Sequence, residues 1–535
     1  MEEIDRAETL VEVMQIRADH DPGGICLIFQ DQPVTFALLA EKAYQYAANM
    51  HALGIRKGDR VCLMLPTSPE FFYAFLGILI LGAIPVTLYP IMSPQQLTSI
   101  INNCKPVAAI AHEWVSRNIK EAQAQAAAKF EILFPAHLES AVVQPLFPDM
   151  SGQDIALIQY TSGSIDDPKG VVLSHQNLLA NIRAFGQRVQ VNREDTLVSW
   201  LPLYHDMGLI GFGLGAFCFG ARLVLLPPDL KNPRTWLEAI TRYKGTVTGS
   251  PDFGYRNCLK KVHDKNGLDL SSLRVAINGA EPIRLSTIKE FEERFQIKNV
   301  ICPGYGLAEA TLAVAIWEPG QEVKGDSQRN TASVGKPLPG IEIKIVRDNK
   351  QASANETGEI WVKSPGNFQG YYNNPDKTQE ALYMGEWLRT GDLGYLDEQG
   401  CLFIVGREKE VIIQAGRNMI PGDLEAITDQ VSGVRYSAAI SQYSYRAGTQ
   451  RVFIIAESQD GEVMGLKARE IVQEITYRIY HHQGYRPSRV ILVKKNTIPR
   501  TTSGKIQRLK LAQMFSTGQI EAQILYPTRP LSLDK

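Results

Sequence analysis

Residues 155–175 read IALIQYTSGSIDDPKGVVLSH, and the turn inside them decides how the chain is placed. IALIQY (155–160) and GVVLSH are apolar, strand-like runs, and between them lie small residues, hydroxyls, two aspartates, a proline and Lys169. A Walker loop would open a helix after its lysine, with helix amides on the phosphate; here Pro168 precedes Lys169 and a strand follows. Taken alone, the stretch is either a plain surface hairpin or a hairpin tip that wraps a triphosphate. In the second case backbone amides, the Ser162 and Ser164 hydroxyls and the Lys169 ammonium would do the holding.

Outward from this loop, short apolar strands alternate with helical segments: RVCLML (60–65), AIPVTL (83–88), ARLVLL (221–226), GTVTGS (245–250) and LRVAING (273–279). That alternation predicts parallel sheets covered by helices. From about residue 333 closer Gly and Pro turns predict a β-rich subdomain, and beyond Lys409 strand-like and helical segments alternate again. The expected fold is α/β. A large N-terminal domain (1–408) has parallel sheets covered by helices plus the β-rich subdomain, and a small mobile α+β domain (409–535) follows. YPTRPLSLDK (526–535) reads as a frayed tail.

With 535 residues the chain needs more than one core. Its 56 basic and 57 acidic residues leave no global field to attract nucleic acid or anionic lipid. Seven scattered cysteines without CxxC exclude a disulfide framework and the usual zinc spacings, and fit a reducing cytoplasm. The N-terminus is acidic and amphipathic, unlike a signal peptide, and AFLGILILGAIPV (74–86) is too short to span a bilayer. It predicts a buried helix ending near Pro85, and no stable membrane insertion.

Six stretches in order, YTSGSIDDPKGVVLSH, NGAEPI (278–283), YGLAEATL (305–312), RTGDLGYLDEQG (389–400), GREKEVIIQAGRNMIPGDLE (406–425) and PRTTSGKIQR (499–508), together resemble the adenylate-forming superfamily. That superfamily holds acyl-CoA synthetases, nonribosomal adenylation domains and luciferases. WLPLYHDMGLIG (200–211) and YGLAEATL bring the likeness closest to the fatty acyl-AMP ligases.

The resemblance implies ATP-dependent activation of a medium- or long-chain fatty acid to acyl-AMP in the cytoplasm, with Mg²⁺ as cofactor and pyrophosphate released. The acyl group then passes to the phosphopantetheine thiol of an acyl carrier protein. Alternatives are coenzyme A as acceptor, or a catalytically weakened acyl- and nucleotide-binding protein. It implies catalytic roles for Lys505, His205 and Glu309, with Glu309 also holding the metal. Nucleotide contacts fall to Thr161, Ser162, Gly163, Ser164 and Lys169; to Gly279, Ala280, Glu281 and Pro282 around the base; to Tyr305, Gly306, Leu307 and Ala308; and to Asp392 and Arg407 at the ribose. His205, Gly211 and Phe253 would line the acyl site, and Lys409 would be a hinge whose rotation exchanges the Lys505 face for one bearing Gly416.

Without the resemblance the same residues are ordinary. Lys505 is a surface lysine, Glu309 a helix-face glutamate, Tyr305 a core aromatic, Asp392 a turn cap, and GFGLGAF (211–217) a packed, glycine-lined helix. Two departures stand out. Ile165 and Asp166 replace a threonine and a glycine of the family's phosphate loop, removing a hydroxyl and adding a negative charge. The segment 313–333 is also too short for the insertion that fatty acyl-AMP ligases typically carry there.

Overall fold

The computed structural model describes residues 6–140, 147–160, 168–228, 231–326, 331–414, 417–444, 449–459, 463, 465–501 and 506–527. Its largest sheet has nine strands, in the order Lys336–Pro337, Ala315–Ile316, Ile301–Tyr305, Val275–Gly279, Val247–Pro251, Thr196–Ser199, Arg222–Leu225, Ile25–Phe29 and Gln32–Thr35. The six inner strands from Ile301–Tyr305 to Ile25–Phe29 pair in parallel, and antiparallel strands close both edges.

A second sheet of seven strands runs Gly370–Tyr371, Gly170–Ser174, Ile155–Tyr160, Ile84–Thr87, Arg60–Met64, Ala108–Ala111, Glu131–Leu133. It is parallel except at one edge, where Ile155–Tyr160 and Gly170–Ser174 form the expected hairpin and Gly370–Tyr371 adds a further antiparallel strand. One continuous apolar core takes residues from both sheets and from helices Phe36–Ala52, Pro69–Ile80 and His175–Val189. The fold class read from the sequence is thus present, with parallel strands needing helical crossovers that cover them.

The apolar run at 74–86 does not stay helical as far as Pro85. The helix stops at Ile80, Gly82 follows at φ +66°, and Pro85 lies inside the strand Ile84–Thr87. The neighbour on one side begins to pair only at Val86, so the missing proline N–H falls where no ladder bond is required.

The chain's first described helix, Leu10–His20, is fastened to distant parts. The Leu10 amide donates to Nδ1 of buried His175 (3.2 Å), and the Arg17 guanidinium donates to the carbonyls of Phe217 (3.2 Å) and Cys218 (2.6 Å).

Residues 342–407 form an antiparallel sheet built on Glu342–Arg347, Gly358–Lys363, Trp387–Leu396 and Leu402–Arg407. After a short turn at Glu408–Glu410 comes a four-stranded sheet, Val434–Ser444, Thr449–Ser458, Arg489–Val493 and Ile524–Tyr526. Two apolar clusters on that sheet draw only on residues 412–525. The tail expectation needs correcting at its start: Tyr526 pairs with Leu492 in the sheet, and only 528–535 lie outside the described residues. No described helix is long and apolar enough to cross a membrane.

Candidate active site

Four neighbouring parallel strands end side by side, and the stretches singled out in the sequence leave from those ends. Ile301–Tyr305 runs into Gly306–Glu309, Val275–Gly279 into Ala280–Pro282, Val247–Pro251 into Phe253, and Thr196–Ser199 toward His205. Open α/β sheets bind ligands in the crevice outside their carboxyl ends, where loops supply convergent polar groups.

Glu309 sits in a turn, which corrects the helix expected for YGLAEA. Ala308–Ala310 forms a single 3₁₀ turn, and Thr311 follows at φ 70°, ψ −60° with the Leu312 amide bonded to the Ala310 carbonyl (2.9 Å). This is a positive-φ γ-turn, a rare and costly geometry for a β-branched residue. Its surroundings hold it. The buried Asn181 carboxamide donates to the Ala313 carbonyl (2.8 Å) and accepts from the Ala313 amide (3.1 Å), while the Thr311 hydroxyl donates to the Gly366 carbonyl (2.6 Å). Gly306 is required, because a Cβ there would meet the Leu312 oxygen at 1.6 Å.

The turn presents Glu309 to Tyr371, whose hydroxyl donates to Oε1 (2.8 Å). The Lys169 ammonium lies over the same ring, 5.1 Å from its centre. A carboxylate this near a lysine would suit Mg²⁺, which takes one or two carboxylates and completes its shell with phosphate oxygens and water. No group of three or more metal-ligating side chains occurs among the described residues.

A second constellation joins Tyr305, Asp392 and Arg407. The Tyr305 hydroxyl donates to Asp392 Oδ2 (2.7 Å), and Arg407 Nε lies 3.0 Å from Oδ1. Asp392 and Arg407 face each other across adjacent antiparallel strands. Burial, then the Asp392 charge, raises the Tyr305 phenol, so it stays a neutral donor. The Asp392 charge foremost raises Arg407, and Glu309 adds to this, which puts the two constellations within one electrostatic neighbourhood.

The segment 279–282 is close-packed as expected. A Cβ on Gly279 would lie 3.1 Å from the Gly304 carbonyl, and Ala280 holds φ +65°. Glu281 adds a feature that the sequence did not signal: its carboxylate accepts the amide of Phe253, tying the segment 279–282 to the residue expected at the acyl site. Burial, with Asp252 adding to it, pushes this carboxyl up to about 7, and Arg256 opposes the shift. Phe253 itself meets Trp200 edge-on at 6.0 Å.

His205 lies just before a helix whose turns are wider than expected. Met207–Leu214 is a π-helix, started by the Asp206 carboxylate accepting from the Met207 amide (2.7 Å), and only Gly215–Phe219 continues it as α. π-turns gather at functional sites. A Cβ on Gly211 would touch Leu312 at 3.0 Å, so this helix packs directly on the Glu309 turn.

Thr161, Ser162, Gly163, Ser164, Ile165, Asp166, Gly416 and Lys505 lie outside the described residues. The flanks of Lys505 are defined: Arg500 and Ile506 pair as an antiparallel bridge, and the Gln507 amide donates to the Pro499 carbonyl (2.9 Å). Arg508 then binds Glu425 with two nitrogens (2.6 and 2.7 Å) and Glu410 with a third (2.6 Å), one residue from Lys409. Asn181, Tyr371 and Arg508 are the site's unannounced members. Only Arg508, at the end of PRTTSGKIQR, lay within a motif that the sequence singled out.

Residues 14–372 match the profile of the AMP-binding enzyme family, and the chain belongs to that family. It is 32% identical to the long-chain-fatty-acid–AMP ligase FadD26 of Mycobacterium marinum, with 93% of each chain covered. It is also 28% identical to the medium-chain-fatty-acid–[acyl-carrier-protein] ligase JamA of Moorena producens, over 96% of each. Among solved structures, a chain from studies of fatty acyl-adenylate ligases of E. coli and L. pneumophila superposes with TM-score 0.86 at 28% identity, covering 97% of this chain and 99% of that one.

Proposed function

We propose that the protein activates a medium- or long-chain fatty acid with ATP and hands the acyl group to the phosphopantetheine thiol of an acyl carrier protein. The observation that carries this reading is that Glu309–Tyr371–Lys169 and Tyr305–Asp392–Arg407 are both built around the end of one strand, Ile301–Tyr305, and the turn that follows it. One constellation suits a metal-bound triphosphate and the other a ribose. The names of the relatives supply the acid.

In the first half-reaction a fatty carboxylate oxygen attacks the α-phosphorus. A carboxylate–phosphate anhydride forms, the bond from the α-phosphorus to the bridging oxygen breaks, and pyrophosphate leaves. Mg²⁺, held by Glu309 when bound, would offset the triphosphate charge. Lys169 and the 161–164 loop would hold the outgoing phosphates, and Asp392 with Arg407 would fix the ribose so that the α-phosphate is aligned. Tyr305 and Gly279–Pro282 would enclose the base. Lys505 would meet the charge that develops between carboxylate and α-phosphate. His205, Gly211 and Phe253 would guide the acyl chain.

Lys409 fits a pivot, since it lies in the short turn between the antiparallel sheet and residues 412–526. On this reading residues 409–535 form the moving domain and 1–408 the fixed one, and rotation would open a path for the thiol.

Lys505→Ala is expected to lower acyl-AMP formation about 10²–10³-fold, the scale of losing one transition-state donor, while ATP still binds. Adenylation within a few-fold of wild type would place the catalytic charge elsewhere. No pyrophosphate release by the wild-type protein, across a panel of fatty acids, would leave only a binding role.

Coenzyme A as acceptor is a second reading with its own observation. In the described part of 313–337 the strands are short and paired, with no inserted element that would hinder rotation among the residues described there. Thioester yields with coenzyme A and with several carriers, at matched concentration, decide between the two.

A further inference from the structure

Tyr371 belongs to no motif singled out in the sequence, yet it touches both Glu309 and Lys169. It lies on a two-residue strand, Gly370–Tyr371, at the edge of the seven-stranded sheet. Its partner is Gly170–Ser174, the strand that begins directly after Lys169, with Tyr371 opposite Val171 and the Tyr372 amide donating to the Gly170 carbonyl (2.7 Å). The Tyr371 amide is in turn held by the Thr378 hydroxyl (2.9 Å) of the helix Pro375–Ala381, and the ring packs edge-on against Phe368 at 4.9 Å.

The same short stretch grips Glu309 twice. The Phe368 amide donates to the Glu309 carbonyl (2.8 Å), and the Tyr371 hydroxyl donates to its carboxylate (2.8 Å). In the second of these bonds the hydroxyl is the donor, facing a negative group. The opposite demand falls on the ring, which receives the Lys169 ammonium at 5.1 Å. Cations over tyrosine faces are attracted by the ring quadrupole, more so away from water.

We propose that Tyr371 is a positioning residue for metal-assisted nucleotide binding. Its hydroxyl occupies one oxygen of Glu309, which leaves the carboxylate a single-oxygen ligand with a restricted orientation. Mg²⁺ demands near-ideal octahedral geometry and binds such carboxylates alongside phosphate oxygens. Its ring meanwhile sets where Lys169 stands at the exit of the phosphate loop. One side chain thereby couples the place of the cation to the place of the lysine. This rests on Glu309 being the metal carboxylate.

The test separates hydroxyl from ring. Binding of a non-hydrolysable ATP analogue is followed by calorimetry as Mg²⁺ is titrated and again in EDTA, for wild type, Tyr371→Phe, Tyr371→Leu and Glu309→Gln. Tyr371→Phe is expected to raise the Mg²⁺ concentration for half-maximal binding by about 3–10-fold, the net worth of one typical hydrogen bond, while affinity in EDTA stays unchanged. Tyr371→Leu should weaken binding in EDTA as well, because Lys169 loses its ring. A Mg²⁺ requirement unchanged in Tyr371→Phe but shifted in Glu309→Gln overturns the role of the tyrosine. Equal losses with and without Mg²⁺ in Tyr371→Phe overturn it too, since only general loosening would do that. If Glu309→Gln leaves the Mg²⁺ dependence intact, the metal assignment itself is wrong.

Discussion

Glu281 answers to two neighbours at once. Its carboxylate accepts the Phe253 amide, which favours the charged form, while burial and Asp252 favour the neutral one, and the second pair wins. An acid whose folded pKa is raised binds more protons folded than unfolded. Its contribution is therefore fully present below about 4.5 and is lost as pH rises toward 7. Thermal unfolding followed from pH 4.5 to 8 should show stability falling over that window. Glu281→Gln, which keeps the acceptor and removes the titration, should flatten the slope. An unchanged slope in the variant would assign it to other groups. The identity of this residue as part of NGAEP could be read from the chain, but its link to Phe253 could not, because two strand ends 28 residues apart had first to be set side by side.

Elements divide in the same way. Strands such as Arg60–Met64 and Val275–Gly279 are visible in the sequence because buried parallel strands are short unbroken apolar runs. The turn at 306–312 is not. Leu, Ala and Glu favour helix locally, and tertiary contacts from Asn181 and Gly366, with the close approach of Gly306 to Leu312, hold the γ-turn instead. Losing Asn181's bonds would strand buried backbone groups, each worth about 1–3 kcal/mol. The hairpin of 155–174 was readable in both strands, down to its antiparallel pairing. Its tip carries the departures Ile165 and Asp166. Replacing both together, Ile165→Thr with Asp166→Gly, should strengthen ATP use, measured as a lower half-saturating ATP concentration and faster pyrophosphate release, because a hydroxyl returns and a like charge leaves. Flat or falling values would mean that this loop holds phosphate by a different geometry.

At the scale of the molecule, residues 412–526 meet the rest through charged and aromatic side chains. Arg284 pairs with Asp429, which also accepts the Ser437 hydroxyl (2.6 Å). Tyr436 lies between guanidinium groups, with Arg500 at 3.8 Å from its ring centre and Arg256, from the large sheet's side, at 5.2 Å. Arg500 is one arm of the bridge that closes the loop carrying Lys505. Tyr436→Ala should therefore slow adenylate formation several-fold, while thioester formation from acyl-AMP supplied ready-made continues near the wild-type rate; Tyr436→Phe should retain both. Equal slowing of both steps by Tyr436→Ala would reduce this cluster to ordinary packing. None of it could be anticipated from the chain, since Arg256, Tyr436 and Arg500 sit in three unconnected stretches with no shared pattern.

The fastening of the first helix bears on how the chain assembles. Leu10–His20 offers Leu10, Val13 and Met14 to the core, yet its seat is completed by groups 165 to 201 residues further along. During synthesis this segment emerges well before its partners and must wait, its apolar face unmatched, until residues 175 and 217–218 have followed. Contacts of such long sequence separation slow folding and lengthen the time that sticky surface is exposed. A helix made long before its partners is thus among the last to come to rest.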